Sequence, residues 1–332
     1  MRKIKIAQIG TSEYSHGSDI FNTLKKNNDM FEIVGYTFPE NEREKFPKVM
    51  AAFDGYKELT LKEILENPEI EAVSVETEEI YLTKYATLAA EHKKHIHMEK
   101  PGGIELSDFE KLIEIVKHNK TVFHTGYMYR YNPYVLELME QVKNGELGDI
   151  ISVEAQMNCY HIKEVRQWLE NFPGGMMFFL GSHLIDLIFS IQGTPKKIIP
   201  LNMCSGVEGV TSNDFGMVAF EYEKGISFAK TSAVELGGFE RRQLVVSGTK
   251  KTVELNPLEW YIEDGRLFTE RYVRENSFWF KKAEKERSQI CDRYDTMIRS
   301  FGEMVLGEKE NPWNYDYELA LYKTLLKACG NI

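Results

Sequence analysis

Ile4-Lys5-Ile6-Ala7-Gln8-Ile9, followed by Gly10-Thr11-Ser12-Glu13-Tyr14-Ser15-His16-Gly17, decides the fold of this 332-residue chain. A short apolar run, a glycine turn and then an amphipathic stretch over 19–26 give the order strand, turn, helix that opens a nucleotide-binding βαβ unit. In the G-x-G-x-x-G form of that turn, the first glycine permits the tight bend and the second lets backbone amides approach a pyrophosphate. Gly10 fills the first role here; Ser12 and Ser15 stand at the others, where hydroxyls can donate hydrogen bonds instead. Gly17 serves the close helix–strand approach if the loop is longer than usual. Any strand-to-helix turn favours Gly and Ser, so the location, more than the motif, points to a dinucleotide.

Outward from this turn the alternation continues. Strands are expected at 4–9, 31–37, 72–76, 95–98 and 121–125, with helices at 19–26, 43–52, 61–66, 83–92 and 107–117, the pattern of a doubly wound parallel sheet. From about 126 the rhythm changes. A helix at 133–144 and the turn Gly145-Glu146-Leu147-Gly148 lead into a long half-buried strand at 150–160. One helix over 174–191 is then followed by β-rich runs at 197–203, 215–222, 226–234, 243–247 and 252–255, and by closing helices at 283–306 and 315–328. The expected architecture is α/β then α+β: a Rossmann dinucleotide-binding domain over 1–125, and an open, mostly antiparallel sheet with helices on one face over 126–310, for substrate and oligomerisation. Residues 311–332 form a helix packing back near the domain junction. No repeat or linker interrupts the chain.

Composition narrows the partners. The net charge of −10, with no basic stripe, argues against nucleic acid. The charged start Met1-Arg2-Lys3 precedes too short an apolar run to be an export signal, and 176–191 carries His183 and Asp186 and falls short of a membrane span. Cys159, Cys204, Cys291 and Cys329 are scattered, as reduced thiols in a cytoplasm would be. His92, His95 and His97 lie on a helix end and alternate strand positions with no completing ligand set, so no metal is expected.

The residues that carry chemistry begin with His97-Met98-Glu99-Lys100-Pro101, which puts Lys100 at the carboxyl end of a parallel strand, where open α/β sheets bind ligands. The acid that usually binds the ribose hydroxyls should end the second strand. Thr37 or Phe38 stands there, with Glu40 nearby and Arg43 among glutamates in what reads as a solvated helix start, so NAD and NADP are both left open. His183 and Asp186, at i and i+3, share a helix face.

Taken in order, these segments resemble the glucose-fructose oxidoreductase and inositol dehydrogenase (Gfo/Idh/MocA) family nearly end to end. Glu99-Lys100-Pro101 matches the family's E-K-P, and residues 126–133, Gly-Tyr-Met-Tyr-Arg-Tyr-Asn-Pro, resemble G-[FY]-x-x-R-[FY]-x-P. Gly145-Glu146-Leu147-Gly148 matches G-x-[LI]-G, and Gly174-Gly175 through Gly181-Ser182-His183-Leu184-Ile185-Asp186 resembles the family's glycine-rich G-x-H-x-x-D segment.

The resemblance implies an NAD(P)-dependent oxidoreductase acting on a sugar, cyclitol or related polyol, with Lys100 and His183 catalytic. It implies cofactor contacts from Gly10, Thr11, Ser12, Ser15, Thr77, Glu99, Lys100 and Pro101, and a substrate wall drawn from Asp186, Trp168, Arg130 and Tyr160. A homodimer or homotetramer paired through the second domain's sheet is expected in the same way.

Two positions depart from the pattern. Phe179 stands where several family dehydrogenases carry an aspartate, and a phenyl ring cannot accept a proton. Thr77-Glu78-Glu79 replaces T-P-N, and such neighbouring glutamates ordinarily face solvent. Two readings therefore stand beside the dehydrogenase: a same-family enzyme using transient oxidation for elimination or glycoside cleavage, and a non-catalytic nucleotide- or sugar-binding protein.

Overall fold

A computed structural model describes residues 2–275 and 281–332. Met1, in the charged start, and 276–280, in the expected substrate domain, lie outside the described residues. By compactness the chain divides into one unit that runs up to Tyr127 and takes up Tyr294–Tyr322, and a second comprising Met128–Arg293 and Lys323–Ile332.

The first unit is built on β1 (Ile4–Ile9), α1 (Gly17–Lys26), β2 (Phe31–Thr37), α2 (Glu42–Lys45), α3 (Leu61–Glu66), β3 (Ala72–Val75), α4 (Leu82–Glu91), β4 (His95–Met98), α5 (Leu106–Asn119) and β5 (Phe123–Thr125). Its five strands pair in parallel in the order β2-β1-β3-β4-β5. All four β3 residues are buried, as expected of a parallel strand covered on both faces. Local chemistry fixes the helix starts where it can: Thr60 and Glu63 form a capping box at the head of α3. The helix expected over 43–52 is instead the single turn α2 and a 3₁₀ stretch Pro47–Phe53, because Pro47 has no N–H to continue the α ladder.

The second unit runs through α6 (Pro133–Lys143), β6 (Ile150–Asn158), α7 (Lys163–Trp168), α8 (Met176–Phe179), α9 (Gly181–Gln192), β7 (Lys197–Met203), β8 (Phe215–Glu221), β9 (Ile226–Ser232), β10 (Gln243–Gly248), β11 (Thr252–Leu255), the small β12–β13 ribbon (Trp260–Tyr261, Leu267–Phe268), β14 (Glu270–Arg274) and β15 (Lys285–Arg287). Its eight-stranded sheet has the order β15-β14-β11-β10-β6-β9-β8-β7 and is antiparallel except where β6 meets β9. α9 packs on β6 and β9. Along β6, Val153, Ala155 and Met157 are buried and the alternate residues are less so, the period-2 signature of a strand with one covered face.

Two helix expectations are corrected. The segment 174–191 is not one helix. Gly174 and Gly175 take positive φ and stay outside it, and Leu180 separates the short α8 from α9. The helix expected over 283–306 begins only at Asp295 (α10, Asp295–Leu306). Residues Lys285–Arg287 pair as β15, where Arg271 meets Glu286 at 2.5 Å and Arg287 meets Glu270 at 2.9 Å across the strands. Cross-strand charge pairing overrides a locally helix-favouring composition. The closing helix α11 (Tyr315–Ala328) matches its expected span.

Candidate active site

The first unit gathers its candidate residues at the carboxyl ends of β1, β3 and β4. Gly10 takes φ +84°, and a Cβ there would overlap the Thr77 methyl and stand 2.8 Å from the Thr77 Cα. Only glycine allows the turn and this approach together. Gly17 plays the expected third role: a Cβ on it would meet Thr11 Oγ1 at 2.8 Å and Glu76 Cβ at 3.0 Å. The Gln8 amide braces the loop by donating to the Gly10 and Gly17 carbonyls, both at 3.0 Å. Ser12 is buried and accepts the Tyr14 N–H at 3.1 Å, while the Ser15 hydroxyl is buried with no hydrogen-bond partner among the described residues.

Lys100 is buried immediately after β4, with its Nζ 3.8 Å from Glu99 Oε1. Its peptide bond to Pro101 is cis. The surroundings are acidic. Glu76 and Glu79 are fully buried, and the Glu78 side chain is largely covered and bonded by Lys45 at 3.0 Å, so the solvent-facing role expected of Glu78 and Glu79 is not the one they take. Burial raises Glu79 to about 7, with Lys100 pulling it down and Glu99 and Glu78 pushing it up. Glu76 is raised well above the carboxylate range by burial and then by Glu99. Beneath them, His97 faces its register partner His124, Nδ1 to Nδ1 at 2.7 Å, and burial lowers His97 to about 3.

The three histidines weighed as metal ligands separate. His92 bonds the Leu88 carbonyl, His95 accepts the Val122 N–H at 3.0 Å, and His97 belongs to the pair just described. Among the described residues no group of His, Cys, Asp and Glu is arranged to hold a metal ion. Cys159, Cys204, Cys291 and Cys329 are all free thiols.

In the second unit His183 lies buried on the first turn of α9, with the Tyr129 ring edge-on at 5.2 Å. Asp186, one turn on, accepts Arg130 in a forked contact: Nη2 to Oδ1 at 2.7 Å and Nε to the two oxygens at 3.0 and 3.1 Å. Both partners are buried. Two residues on from Arg130, Asn132 caps α6, accepting the Tyr134 and Val135 N–H groups ahead of Pro133.

Phe179 fits an apolar role. Its ring meets Trp168 edge-on at 5.1 Å and lies 6.3 Å from His161, whose pKa falls to about 4 through burial and the nearby Arg242 and Arg166. Trp168 therefore stands in an aromatic wall with Phe172 and Phe179. Tyr160 is about half exposed.

Sequence reasoning missed three elements. Glu42 is wholly buried and its Oε2 accepts the Thr11 N–H at 3.2 Å, although Glu40 was the acid that sequence placed nearest. Glu40 is engaged by Lys84 Nζ at 2.5 Å and the Tyr85 hydroxyl at 2.7 Å. The second is the Glu76–His97–His124 group. The third is Glu259, buried and held ionised against burial by Arg293 and Arg242, with the Tyr129 hydroxyl also donating to it. Only Glu42 left a trace in sequence, as an acid within five residues of the end of β2.

The glycine cradle at Thr77, the unpaired Ser15 hydroxyl and the Glu42 carboxyl beside the Thr11 amide fit a dinucleotide, whose phosphates and ribose need backbone donors, close approach and an acceptor.

Known proteins share this domain order. The model of the oxidoreductase family with NAD-binding Rossmann fold matches residues 4–127, and that of the GFO/IDH/MocA C-terminal domain matches 135–254. A scyllo-inositol 2-dehydrogenase (NADP(+)) of Bacillus subtilis is 24% identical over 67% of this chain and 62% of its own length. An uncharacterized oxidoreductase of Schizosaccharomyces pombe is 27% identical over 46% of this chain and 42% of its own, so the match spans less than half of that relative. Among solved structures, a putative NADPH-dependent oxidoreductase from Desulfitobacterium hafniense superposes with TM-score 0.80 at 16% identity, covering 100% of this chain and 96% of that one. An aldose-aldose oxidoreductase from Caulobacter crescentus gives 0.79 at 16% identity, over 99% and 98%. With a match to both of its domain models, in chain order, the chain belongs to the GFO/IDH/MocA oxidoreductase family and carries its NAD-binding Rossmann fold.

Proposed function

We propose that this protein is an NAD(P)-dependent oxidoreductase of a sugar, cyclitol or related polyol. The observation that carries the reading is the contact of Gly10 with Thr77, a backbone approach that admits nothing larger than hydrogen on Gly10, as the first glycine of a dinucleotide-binding turn requires. The nicotinamide of a bound dinucleotide would supply the hydride acceptor or donor.

The chain supplies the rest. Lys100, ending β4 and tethered to Glu99, would polarise the reacting oxygen, and His183 would hold the hydroxyl proton at its imidazole. Arg130 and Asp186 support the α9 end that carries His183, and Trp168 with Tyr160 would meet the apolar face of the sugar ring. Gly10, Thr11, Ser12, Ser15, Thr77, Glu99 and Pro101 would line the cofactor.

A homodimer or homotetramer through the second unit's sheet is part of the proposal. It is supported by β7, where Ile199, Leu201 and Met203 are 39%, 55% and 61% exposed on one face. No described helix is long and apolar enough to cross a membrane, and a cytoplasmic setting suits four unpaired thiols.

The test is denaturing release and mass spectrometry of the purified protein, then calorimetric titration with NAD, NADH, NADP and NADPH and a polyol screen. Bound or co-purifying dinucleotide with polyol-dependent reduction supports the dehydrogenase. Tightly retained dinucleotide with substrate turnover but no net reduction favours the transient-oxidation reading. No binding by nucleotide-free protein sinks the oxidoreductase and leaves the binding-protein reading.

A further inference from the structure

The rim of the glycine turn bears on which dinucleotide the site takes. The α2 turn lays Glu42 against the loop, with Oε2 on the Thr11 N–H and Oε1 buried without a hydrogen-bond partner among the described residues. A buried carboxyl oxygen lacking a donor is costly, and a ribose hydroxyl would supply that donor.

The nearby cations are already matched. Lys45 bonds Glu78 at 3.0 Å, Lys84 bonds Glu40 at 2.5 Å, Arg43 bonds Glu58 at 2.6 Å while stacking on Phe38, and Lys48 lies 3.4 Å from Glu13. A ribose hydroxyl donates to an acceptor oxygen, which the Glu42 carboxyl keeps in either protonation state. A 2′-phosphate brings nearly two charges. Ionised, Glu42 repels it; protonated, Glu42 gives it a single donor and leaves the other oxygens without a cation.

We infer that Glu42 is a specificity-determining residue that makes this protein an NAD(H) enzyme, replacing from the α2 turn the acid missing at the end of β2. The inference rests on the dinucleotide reading above and narrows it. It also separates this chain from the Bacillus subtilis relative whose name specifies NADP(+). Arg43, the residue that would favour a 2′-phosphate, is tied to Tyr36 and Glu58 on the outer side of the turn.

The test is fluorescence titration of the full chain and of its Glu42→Gln, Glu42→Ala and Arg43→Ala variants with NADH and NADPH, with thermal melts to confirm folding. Wild type is expected to bind NADH at least about 30-fold tighter than NADPH, since a 2′-phosphate beside Glu42 meets either a like charge or a lone donor with no cation to match its remaining charge, and an unmatched charge there costs several kcal/mol. Glu42→Ala should weaken NADH by up to roughly tenfold, the worth of one hydrogen bond, and narrow the ratio. Glu42→Gln, which keeps the shape, should retain folding and narrow the ratio less. Arg43→Ala should leave the ratio unchanged.

Equal binding of both nucleotides by wild type, or a ratio that Glu42→Ala does not move, overturns this inference alone. Tighter binding of both nucleotides to Glu42→Ala would make the carboxyl a plug and also overturn it. Failure of wild type to bind either one overturns the oxidoreductase reading and this inference with it.

Discussion

His97 and His124 share one proton: their Nδ1 atoms stand 2.7 Å apart in adjacent parallel strands, a distance that needs an N–H on one ring and a lone pair on the other. The pair is buried under Phe301 of α10, whose ring lies 5.6 Å from His124 and 5.8 Å from His97. His97 Nε2 reaches toward Glu76 at 3.6 Å, and Glu76 accepts the Ser74 hydroxyl. His97 Nε2 and Glu76 Oε2 find no hydrogen-bond partner among the described residues, so the group is a partly satisfied polar seam inside a parallel sheet.

Acid should open this seam. Burial depresses His97 to about 3, below its ordinary value near 6.5, so the unfolded chain takes up protons first. The stability His97 contributes is therefore complete above pH 6.5 and lost as pH falls toward 3, amounting to about 2 kcal/mol by pH 5. Urea unfolding at pH 7 and pH 5 should show this loss in wild type and a shallower one in His97→Phe. An identical acid slope in the variant would assign the sensitivity elsewhere.

The Arg130–Asp186 fork should behave as a buried ion pair does. Arg130→Met leaves a buried carboxylate without its guanidinium and is expected to cost roughly 3–5 kcal/mol. The double variant Arg130→Met with Asp186→Leu should recover most of that loss, because it removes the stranded charge as well. Urea midpoints of the four proteins close the cycle. Additive losses would mean the two side chains act independently.

Lys100→Met should lower turnover on the polyol found by screening by roughly 10²–10⁴-fold, the range for a positioned proton-transfer or polarising group. The same change has a second signature. Lys100 holds the Glu79 carboxyl down near 7 against burial, so the Glu79 carboxyl carbon should titrate higher in the variant by ¹³C NMR. Turnover within tenfold of wild type would remove Lys100 from the chemistry, and an unmoved Glu79 would separate the two groups.

What the sequence disclosed follows from what repeats along it. The parallel sheet announces itself by apolar runs such as 72–75 between amphipathic helices, and Gly10, Gly17 and Lys100 by their places at strand ends. β15 was hidden because Lys285-Glu286-Arg287 favours helix until Glu270 and Arg271 lie opposite it. The Glu76–His97–His124 seam was hidden because its members come from the end of β3, from β4 and from β5, and only register brings them together. Glu42 was hidden by a single turn of helix, α2, which swings it back onto the loop at Thr11.

That return of Glu42 should make the protein sensitive to alkali. Burial raises its carboxyl to about 9, with Glu78 and Glu40 pushing the same way and the Thr11 amide and Lys45 opposing. The folded pKa lies above the unfolded one, so the native state holds this proton longer. Its contribution is complete below about pH 4.5 and is lost as pH rises through 9, about 2.7 kcal/mol of it between pH 6 and pH 8. Glu42→Gln removes the titration while keeping an oxygen for the Thr11 N–H, so its stability should fall less than that of wild type over the same interval. Bound NADH should flatten the wild-type curve if ribose hydroxyls meet the carboxyl, since donors to an ionised oxygen offset the burial that raised it. Parallel pH curves for wild type and Glu42→Gln would place the alkaline loss on Glu76 or Glu79, whose carboxyls are raised by the same cause.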